Sequence, residues 1–255
     1  MTGAGPPLRQ SVCRWCYPDL SLAELARAAR ELGLESVELL DPEDWPVVRQ
    51  FGLTCAMANG ATTITAGLNR REHHAVQVPG MIARIEACAA AGIPSVICFS
   101  GSRGGLPDEL GLEHCAEGLR PIVAAAERRG VTVQMELLNS KVDHPDYMCD
   151  HTAWGAELAR RVGSERFKLL YDIYHMQIME GDVIRTIEQN HAWIGHYHTG
   201  GVPGRHELDG RQELNYPAIL RAIRATGFRG FIGQEFIPTG DPLGALRAAA
   251  ELCAV

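Results

Sequence analysis

The sequence predicts a single (β/α)8 barrel (TIM barrel) of the α/β class, and three observations indicate this fold. Short apolar segments typical of buried strands alternate eight times with amphipathic segments typical of helices, without a domain-sized interruption. The length of 255 residues and the 46% hydrophobic content suit one such barrel. The competing fold is an open doubly wound sheet, but no Gly-rich dinucleotide-binding loop follows the first apolar segment.

The eight strands are predicted from apolar runs bounded by turn-forming or charged residues. They cover residues 11–17, 36–40, 53–58, 95–100, 131–138, 168–173, 193–198 and 231–236. The first helix begins after Ser21, an N-cap with Glu24 three residues on, and ends at Gly33. The later helices are predicted from apolar residues at helical spacing. They cover residues 42–50, 79–91, 109–129, 150–162, 182–190, 217–226 and 242–252.

Composition excludes several classes of function. The formal net charge of −7 and the lack of a basic run argue against a nucleic-acid partner, because such binding depends on Lys and Arg. Eight cysteines are scattered through a chain too long to need disulfides. Cys13 and Cys16 form a C-x-x-C inside a predicted strand, where neither a redox motif nor a complete zinc site is expected.

Residues 1–10 are expected to form a flexible leader, and residues 11–255 the single barrel domain. The leader has no apolar signal core, and no run of 18 apolar residues occurs in the chain, so no membrane partner is expected. We therefore expect a cytoplasmic protein with a small-molecule substrate. Assembly into a homo-oligomer is left open.

Four consecutive predicted strands end in a carboxylate or an imidazole. The fifth to eighth strands deliver Glu136, Asp172, His198 and Glu235. The active sites of such barrels lie at the carboxyl ends of the strands, where inward-facing side chains converge. Three carboxylates close together repel one another unless a cation compensates them. Carboxylates with one His and no thiolate suit a hard divalent ion, Mn²⁺ or Mg²⁺ first and Co²⁺ as a further option.

Three other polar or aromatic residues near strand ends have two readings each. Glu38, ending the second strand, is either a carboxylate that supports a ligand or a solvated residue of the barrel rim. His196 lies two residues deeper than His198, and is expected to orient a ligand or fill the barrel. Trp15, ending the first strand, could form the floor of the pocket or belong to the core.

At these positions the chain resembles the hydroxypyruvate isomerase family, within the xylose-isomerase-like superfamily of sugar isomerases and epimerases. The stretch YDIYHMQIMEG at residues 171–181 closely resembles that family's signature. The later motifs follow in the family's order, namely GHYH at 195–198, PGR at 203–205, ELNY at 213–216 and GQE at 233–235. The resemblance in motifs runs from about residue 131 to 236, and only the architecture is similar before that.

The resemblance implies roles for six positions. Glu136, Asp172, His198 and Glu235 would be metal ligands, and Glu136 and Glu235 would also be the paired acid and base. His175 would bind a substrate oxygen, and Arg205 would pair with a substrate oxygen or a ligating carboxylate. His198 departs from the Gln found at that position in many bacterial hydroxypyruvate isomerases, and resembles the tagatose and psicose epimerases instead.

The implied reaction moves a carbonyl to the neighbouring carbon, for example from hydroxypyruvate to tartronate semialdehyde. It needs a base to remove the proton next to the carbonyl, an enediolate intermediate and an acid to return the proton. A divalent ion stabilises the enediolate as a Lewis acid. Ketose 3-epimerisation and a keto-sugar or keto-inositol lyase or dehydratase would use the same residues and remain alternatives. An endonuclease IV-like nuclease is a weaker alternative, because it needs more histidines and a basic surface.

Overall fold

The computed structural model describes residues 7–254, and within them seven parallel strands form one curved sheet with the order β2-β1-β7-β6-β5-β4-β3. The strands are β1 (Arg9–Cys13), β2 (Ser36–Glu38), β3 (Ser95–Cys98), β4 (Thr132–Leu137), β5 (Phe167–Asp172), β6 (Ile194–Thr199) and β7 (Phe231–Gln234). An eighth extended segment lies between the two edge strands and closes the barrel. The predicted (β/α)8 barrel is therefore confirmed.

The helices pack on the outer surface of the sheet. They are α1 (Leu22–Glu31), α2 (Trp45–Gln50), α3 (Arg71–Ala91), α4 (Asp108–Arg129), α5 (Thr152–Val162), α6 (Ile173–Met179), α7 (Val183–Asn190), α8 (Tyr216–Ala225) and α9 (Pro242–Cys253). Gly155 of α5 allows a close approach, because an added Cβ would meet the side chains of Leu169 and Leu137 at 3.0–3.2 Å. Inside the barrel, Met57, Ile97 and Leu170 form a separate apolar cluster.

The eighth segment corresponds to the third predicted strand, residues 53–58, and it forms isolated bridges instead of a continuous ladder. Ser36 pairs with Thr54, and Ala58 pairs with both Leu40 and Val96. The ladder is interrupted between these bridges because the Ala56 N–H donates to the Ser36 hydroxyl at 2.8 Å, and not to a main-chain carbonyl. The segment still bridges β2 and β3, so the barrel is closed.

Several predicted boundaries differ from the structure. The first strand was expected to reach residue 17, but β1 ends at Cys13 and a 3-10 turn, Arg14–Cys16, follows it. β1 begins at Arg9, inside the expected leader, and residues 1–6 of that leader lie outside the described residues. Helix α6 was not predicted, because its seven residues follow β5 without a loop.

Helix α3 begins at Arg71, two turns before the predicted start at residue 79, and it has Pro79 in its interior. Proline favours the first turn of a helix, which explains the prediction. The two additional turns are held by side chains that bind the preceding loop. The rings of His73 and His74 contact the carbonyl oxygens of Gly67 and Leu68 at 3.1 and 2.8 Å. In the described part of the chain, no helix is long and apolar enough to cross a membrane.

Gly67 provides a test of how this loop packs on the barrel. A Cβ at Gly67 would lie 2.3 Å from the Gly101 nitrogen and 2.5 Å from the Phe99 carbonyl oxygen, both of them backbone atoms. We expect Gly67→Ala to lower the free energy of unfolding by about 2–3 kcal/mol, because the backbone must shift to accommodate the methyl group. Urea unfolding measures this, with Gly210→Ala as the control, since a Cβ there meets nothing within 4 Å. Equal stability of the two variants would contradict the tight packing of this loop.

Candidate active site

The four strand-end residues singled out in the sequence come together at the carboxyl ends of β4 to β7. One ligand atom from each of Glu136, Asp172, His198 and Glu235 lies within 4.8 Å of the others, and all four side chains are buried. Asp172 is paired with His198 in the ladder between β5 and β6, and His198 with Gly233 in the next ladder. A Cβ at Gly233 would lie 2.7 Å from Cδ2 of His198, so glycine leaves the space that the imidazole occupies.

Asp172 is oriented by the helix that it caps. Its Oδ1 accepts hydrogen bonds from the backbone N–H groups of Tyr174 and His175, at 2.8 and 3.2 Å. These contacts satisfy two of the free N–H groups at the start of α6. Oδ2 is left facing the cluster.

His198 is oriented by Glu38. Oε1 of Glu38 lies 2.8 Å from Nε2 of His198, and because an ionised carboxylate only accepts hydrogen bonds, Nε2 carries a proton. Nδ1 faces inward, 2.7 Å from Oε2 of Glu235 and 3.4 Å from Oε1 of Glu136, without hydrogen-bonding geometry to either. A lone pair at Nδ1 would repel both carboxylates, so this position needs a cation or a second proton.

Glu38 is fully buried and contacts the imidazole ring of His198, so it is not a solvated residue of the barrel rim. Its Oε1 also accepts from Nε2 of His196 at 2.9 Å, so His196 contacts the carboxylate that holds His198. Burial opposes ionisation of Glu38, but His196 and His198 outweigh it and hold the pKa of this carboxyl below its ordinary value. A ring nitrogen held by a carboxylate is common behind metal-binding histidines.

Glu235 completes this arrangement. Its Oε1 accepts a hydrogen bond from the indole Nε1 of Trp15 at 2.7 Å, and its Oε2 faces Nδ1 of His198. Trp15 is 46% exposed and lines the open cleft, so it belongs to the pocket and not to the core. In each of Asp172, His198 and Glu235, one polar atom of the side chain is therefore held by a hydrogen bond from or to a neighbouring residue. Each has its second atom directed at one shared position.

Burial and neighbouring charges displace the pKa values of the cluster residues in different directions. Burial raises the pKa of Glu136, and the charge of Glu235 adds to this rise. Burial also raises the pKa of Asp172, despite the opposing charge of Arg205. Burial acts against ionisation of Glu235 too, but Arg205 and His198 outweigh it and hold its pKa well below the ordinary value. Burial likewise disfavours a charged His198, yet the charge of Glu235 raises the pKa of that ring.

The guanidinium of Arg205 lies over the carboxylates. Its Nη2 donates to Oδ2 of Asp172 at 2.7 Å and also to Oε2 of Glu235, and its Nε donates to the Glu235 carbonyl at 3.1 Å. The guanidinium carbon lies 4.9 Å from the ring centroid of Tyr174 and 5.5 Å from that of Trp15. Arg205 has a left-handed backbone with φ of 59°, which non-glycine residues rarely adopt.

His175 is buried between Arg205 and Asn139. Nδ1 of His175 lies 2.6 Å from the amide nitrogen of Asn139, and Nε2 lies 2.6 Å from Nη1 of Arg205. The Asn139 amide has a fixed orientation, because its Oδ1 accepts from the N–H groups of Val142 and Asp143 at 3.0 and 2.9 Å. The contact of Asn139 with His175 was not expected from the sequence. Its only signal was a polar residue directly after the fifth strand.

The donor set fits a hard divalent cation. Three carboxylate oxygens and one imidazole nitrogen are available to one position, and this is the chemistry that Mn²⁺ and Mg²⁺ favour. The Sγ atom of Cys13 also lies within 4.8 Å of ligand atoms of His198 and Glu235. It contacts His198 on the Nε2 edge, at 3.7 Å, and burial raises its pKa well above the ordinary value, so it stays a neutral thiol. The thiol therefore lies outside the ligand position.

An open cleft of about 610 Å³ lies above this cluster, and Trp15, Glu136, His175, Arg205 and Glu235 are among the residues that line it. The six site residues predicted from the sequence thus lie in one region, with four at the base and His175 and Arg205 on top. This geometry can hold a cation and place two carboxylates and one imidazole beside a small molecule.

Comparisons with known proteins agree with this architecture. The chain is 31% identical over 237 residues to a 2-oxo-tetronate isomerase of Cupriavidus necator, covering 87% of this chain and 89% of that protein. It is 28% identical over 260 residues to a human protein with the provisional name of a hydroxypyruvate isomerase, covering 92% and 91%. A Brucella melitensis structure described as an AP endonuclease of family 2 superposes with a TM-score of 0.86 at 26% identity, covering 96% and 99%.

The family pattern described as a xylose isomerase-like TIM barrel matches residues 14–254, nearly the whole chain. This match agrees with the resemblance drawn from the motifs between residues 171 and 235. The chain belongs to the xylose isomerase-like TIM barrel family.

Proposed function

We propose that this chain is a divalent-metal-dependent isomerase that interconverts aldose- and ketose-type forms of a small hydroxy-carbonyl compound, in the manner of a hydroxypyruvate isomerase. The observation that carries the proposal is the cluster of Glu136, Asp172, His198 and Glu235, with one atom of each directed at a single position. The names of the relatives from Cupriavidus necator and human support the isomerase class.

In this proposal the four cluster residues hold one cation, Mn²⁺ or Mg²⁺ first and Co²⁺ as a further option. When bound, such an ion supplies Lewis-acid stabilisation of negative charge on the substrate oxygens. Glu38 and His196 act behind His198 and keep its Nδ1 directed at the ion position. Trp15 does the same for Glu235 through its indole N–H.

Glu136 and Glu235 are the proposed acid and base. One carboxylate takes the proton from the carbon next to the carbonyl, and the substrate becomes an enediolate. The hydroxyl proton of the enediolate passes to the former carbonyl oxygen, and the proton held by the carboxylate is then delivered to the former carbonyl carbon, so the carbonyl and hydroxyl groups have exchanged positions. Both carboxylates line the cleft, and both have an oxygen within 4.8 Å of the same ligand atoms of Asp172 and His198, so either can reach a substrate held there.

His175 is the proposed hydrogen-bond donor to a substrate oxygen. A neutral imidazole has one acceptor nitrogen, so Nδ1 cannot accept from Asn139 while Nε2 accepts from Arg205. The orientation of Asn139 is fixed by two backbone N–H groups, whereas the position of the Arg205 guanidinium depends on Asp172 and Glu235, which are proposed ligands of the ion. We therefore assign the proton to Nε2, which faces the cleft. Burial, with the charge of Arg205, lowers the pKa of His175 well below its ordinary value and keeps the ring neutral.

Arg205 is the proposed substrate-binding cation. With Asp172 and Glu235 serving as ligands of an ion, the guanidinium would lose part of its present contacts and would be available to a substrate oxygen. Its planar fork suits a carboxylate or an enediolate oxygen. The ring faces of Tyr174 and Trp15 keep it at the mouth of the cleft.

A ketose 3-epimerase is the second candidate, because the histidine at position 198 resembles the residue that tagatose and psicose epimerases have there. A lyase or dehydratase would use the same base and cation. A nuclease activity is disfavoured by the net charge of −7. Moreover, in residues 7–254 the three groups that could hold an ion all include His198, which indicates one centre and not several.

The first test removes and restores the metal. Protein stripped with a chelator should lose activity on hydroxypyruvate and on 2-oxo-tetronate, and regain it with Mn²⁺.

Glu136→Gln and Glu235→Gln should each lower kcat by about 10²–10⁴-fold, because an amide cannot transfer the proton. Product formation by NMR measures the rate, and metal content is measured in the same samples. Full activity of the stripped protein, or a Gln variant with full metal and normal kcat, would contradict the assigned roles.

The second test concerns Arg205. Arg205→Lys keeps the charge but loses the planar fork, so KM for an anionic substrate should rise by about 10–100-fold, the value of hydrogen bonds to a charged group. Isothermal titration with Mn²⁺ should show little change in metal affinity. If metal affinity falls and KM does not change, Arg205 supports a ligating carboxylate and does not bind substrate. Arg211→Lys is the matched control, because Arg211 is exposed and forms an ion pair with Asp209.

The third test concerns the proton on His175. In the wild type, the ¹⁵N shifts of this ring should show a neutral ring with the proton on Nε2. Asn139→Asp keeps the acceptor for the two backbone N–H groups but places a carboxylate oxygen beside Nδ1. This should move the proton to Nδ1 and raise the pKa of His175. Asn190→Asp, remote from the site, should leave the ring unchanged, and an unchanged ring in Asn139→Asp would remove Asn139 as the positioning residue.

A further inference from the structure

The cleft above the cluster has an apolar wall that the proposed chemistry does not use. Its lining includes six aliphatic and aromatic side chains, namely Leu39, Ile64, Ile97, Phe99, Val142 and Ile237, and the polar residues Asn59, Asp143 and His144 also line the cleft. These six residues are called the apolar wall below.

The inner part of the apolar wall belongs to the barrel itself. Ile97 packs with Met57 and Leu170 inside the barrel, and Leu39 and Phe99 pack against this cluster while they remain partly exposed to the cleft. A surface built on barrel packing is fixed in shape before any ligand arrives. Such a preformed surface binds an apolar group with little cost in ordering.

The outer part of the apolar wall is exposed to solvent. Among the described residues, six large apolar side chains are exposed, and three of them, Trp15, Val142 and Ile237, line this single cleft. Val142 is 64% exposed and Ile237 is 41% exposed. Single exposed apolar residues are ordinary, but a group of them around one concave site indicates a surface that a ligand or partner covers.

The size and charge of the cleft favour a ligand that is larger than a short acid and has few charged groups. The volume of about 610 Å³ lies in the range of about 300–1,000 Å³ that encloses drug-sized ligands, well above the needs of a three- or four-carbon acid. Arg205 is the one Lys or Arg among the described lining residues. The nearby Lys141 is turned away, because its Nζ donates to the carbonyls of Ile178 and Met179 at 3.1 and 2.8 Å.

We propose that the substrate of this enzyme carries a neutral, largely apolar group attached to its hydroxy-carbonyl head, and that this group lies on the apolar wall. The inference rests on the proposed metal-dependent isomerase function, because the head must chelate the ion at the base of the cleft. A short hydroxy acid such as hydroxypyruvate would occupy only the base of the cleft. A second copy of the chain covering the wall is the alternative occupant, and the test below separates the two.

Alkyl hydroxamates are suitable probes, because they chelate a divalent ion through two neighbouring oxygens, as a hydroxy-carbonyl group does. Isothermal titration of the Mn²⁺-loaded protein with acetohydroxamate, butanohydroxamate and hexanohydroxamate gives three Kd values. Each methylene buried on the apolar wall should tighten binding by about threefold to fourfold. A hydroxamate with a carboxylate at the end of its chain should bind more weakly than the uncharged one of equal length.

Matched valine variants locate the effect. Val142→Ser should raise the Kd of hexanohydroxamate by about fivefold to tenfold, whereas the Kd of acetohydroxamate should change little, because only the longer chain reaches residue 142. Val76→Ser removes another exposed valine (78% exposed) on α3, outside the cleft, and should change neither Kd. Circular dichroism spectra of both variants check that the fold is retained.

The outcomes separate this inference from the proposed function. Equal affinities across the series, with binding that still requires Mn²⁺, would overturn the apolar substrate group and leave the isomerase proposal standing. Lack of Mn²⁺-dependent binding even by acetohydroxamate would overturn the metal centre and the inference together. A wild-type dimer in light scattering that Val142→Ser dissociates would assign the apolar wall to a second copy, and the inference would also fail.

Discussion

Mutual repulsion among three buried carboxylates is the constraint on which the rest of this site depends. Glu136, Asp172 and Glu235 lie in one cluster at the top of the barrel, where little solvent screens their charges. Without compensation, such a cluster would destabilise the fold, since burying unpaired charge is among the most costly changes in a protein. The guanidinium of Arg205 and the ring of His198 are placed where they reduce this cost.

The cluster is preorganised by partners that occupy the outer atoms of the ligands. Asp172 is held by the first N–H groups of α6, His198 by Glu38, and Glu235 by Trp15. These partners come from different parts of the chain, so a correct ligand geometry requires the barrel to be closed. The bridged segment at residues 53–58 matters for this reason, because it joins β2, which carries Glu38, to β3. Stability of the barrel and geometry of the site are therefore linked.

The sequence predicted the four cluster residues because strand-end position and side-chain parity are local properties. A polar residue at the end of an apolar run, on the inward face, is placed by the barrel geometry alone. The closing segment was harder to predict, because its ladder is broken by the Ser36 side chain, which the local sequence does not reveal. Helix α6 was missed for a similar reason, since Asp172 ends one element and caps the next.

The supporting contacts could not be predicted, because they depend on distance in space across long separations in sequence. Glu38 and His198 are 160 residues apart, and Asn139 and His175 are 36 residues apart. In the single sequence, Glu38 was open to two readings, and Asn139 carried no signal of its contact with a ring. Only the closed barrel brings these pairs within hydrogen-bonding distance.

Charge balance connects the cluster with the character of the cleft. Glu136, Asp172, Glu235 and the buried Glu38 behind His198 carry four negative charges, of which one divalent ion and Arg205 would balance three. A neutral substrate group then meets no electrostatic penalty, whereas an anionic group beyond the chelating head would be repelled by the remaining negative charge and could pair with Arg205 alone. The apolar wall offers such an anion no further partner. The charge of the base and the composition of the wall thus favour the same ligand, a chelating head with a neutral body.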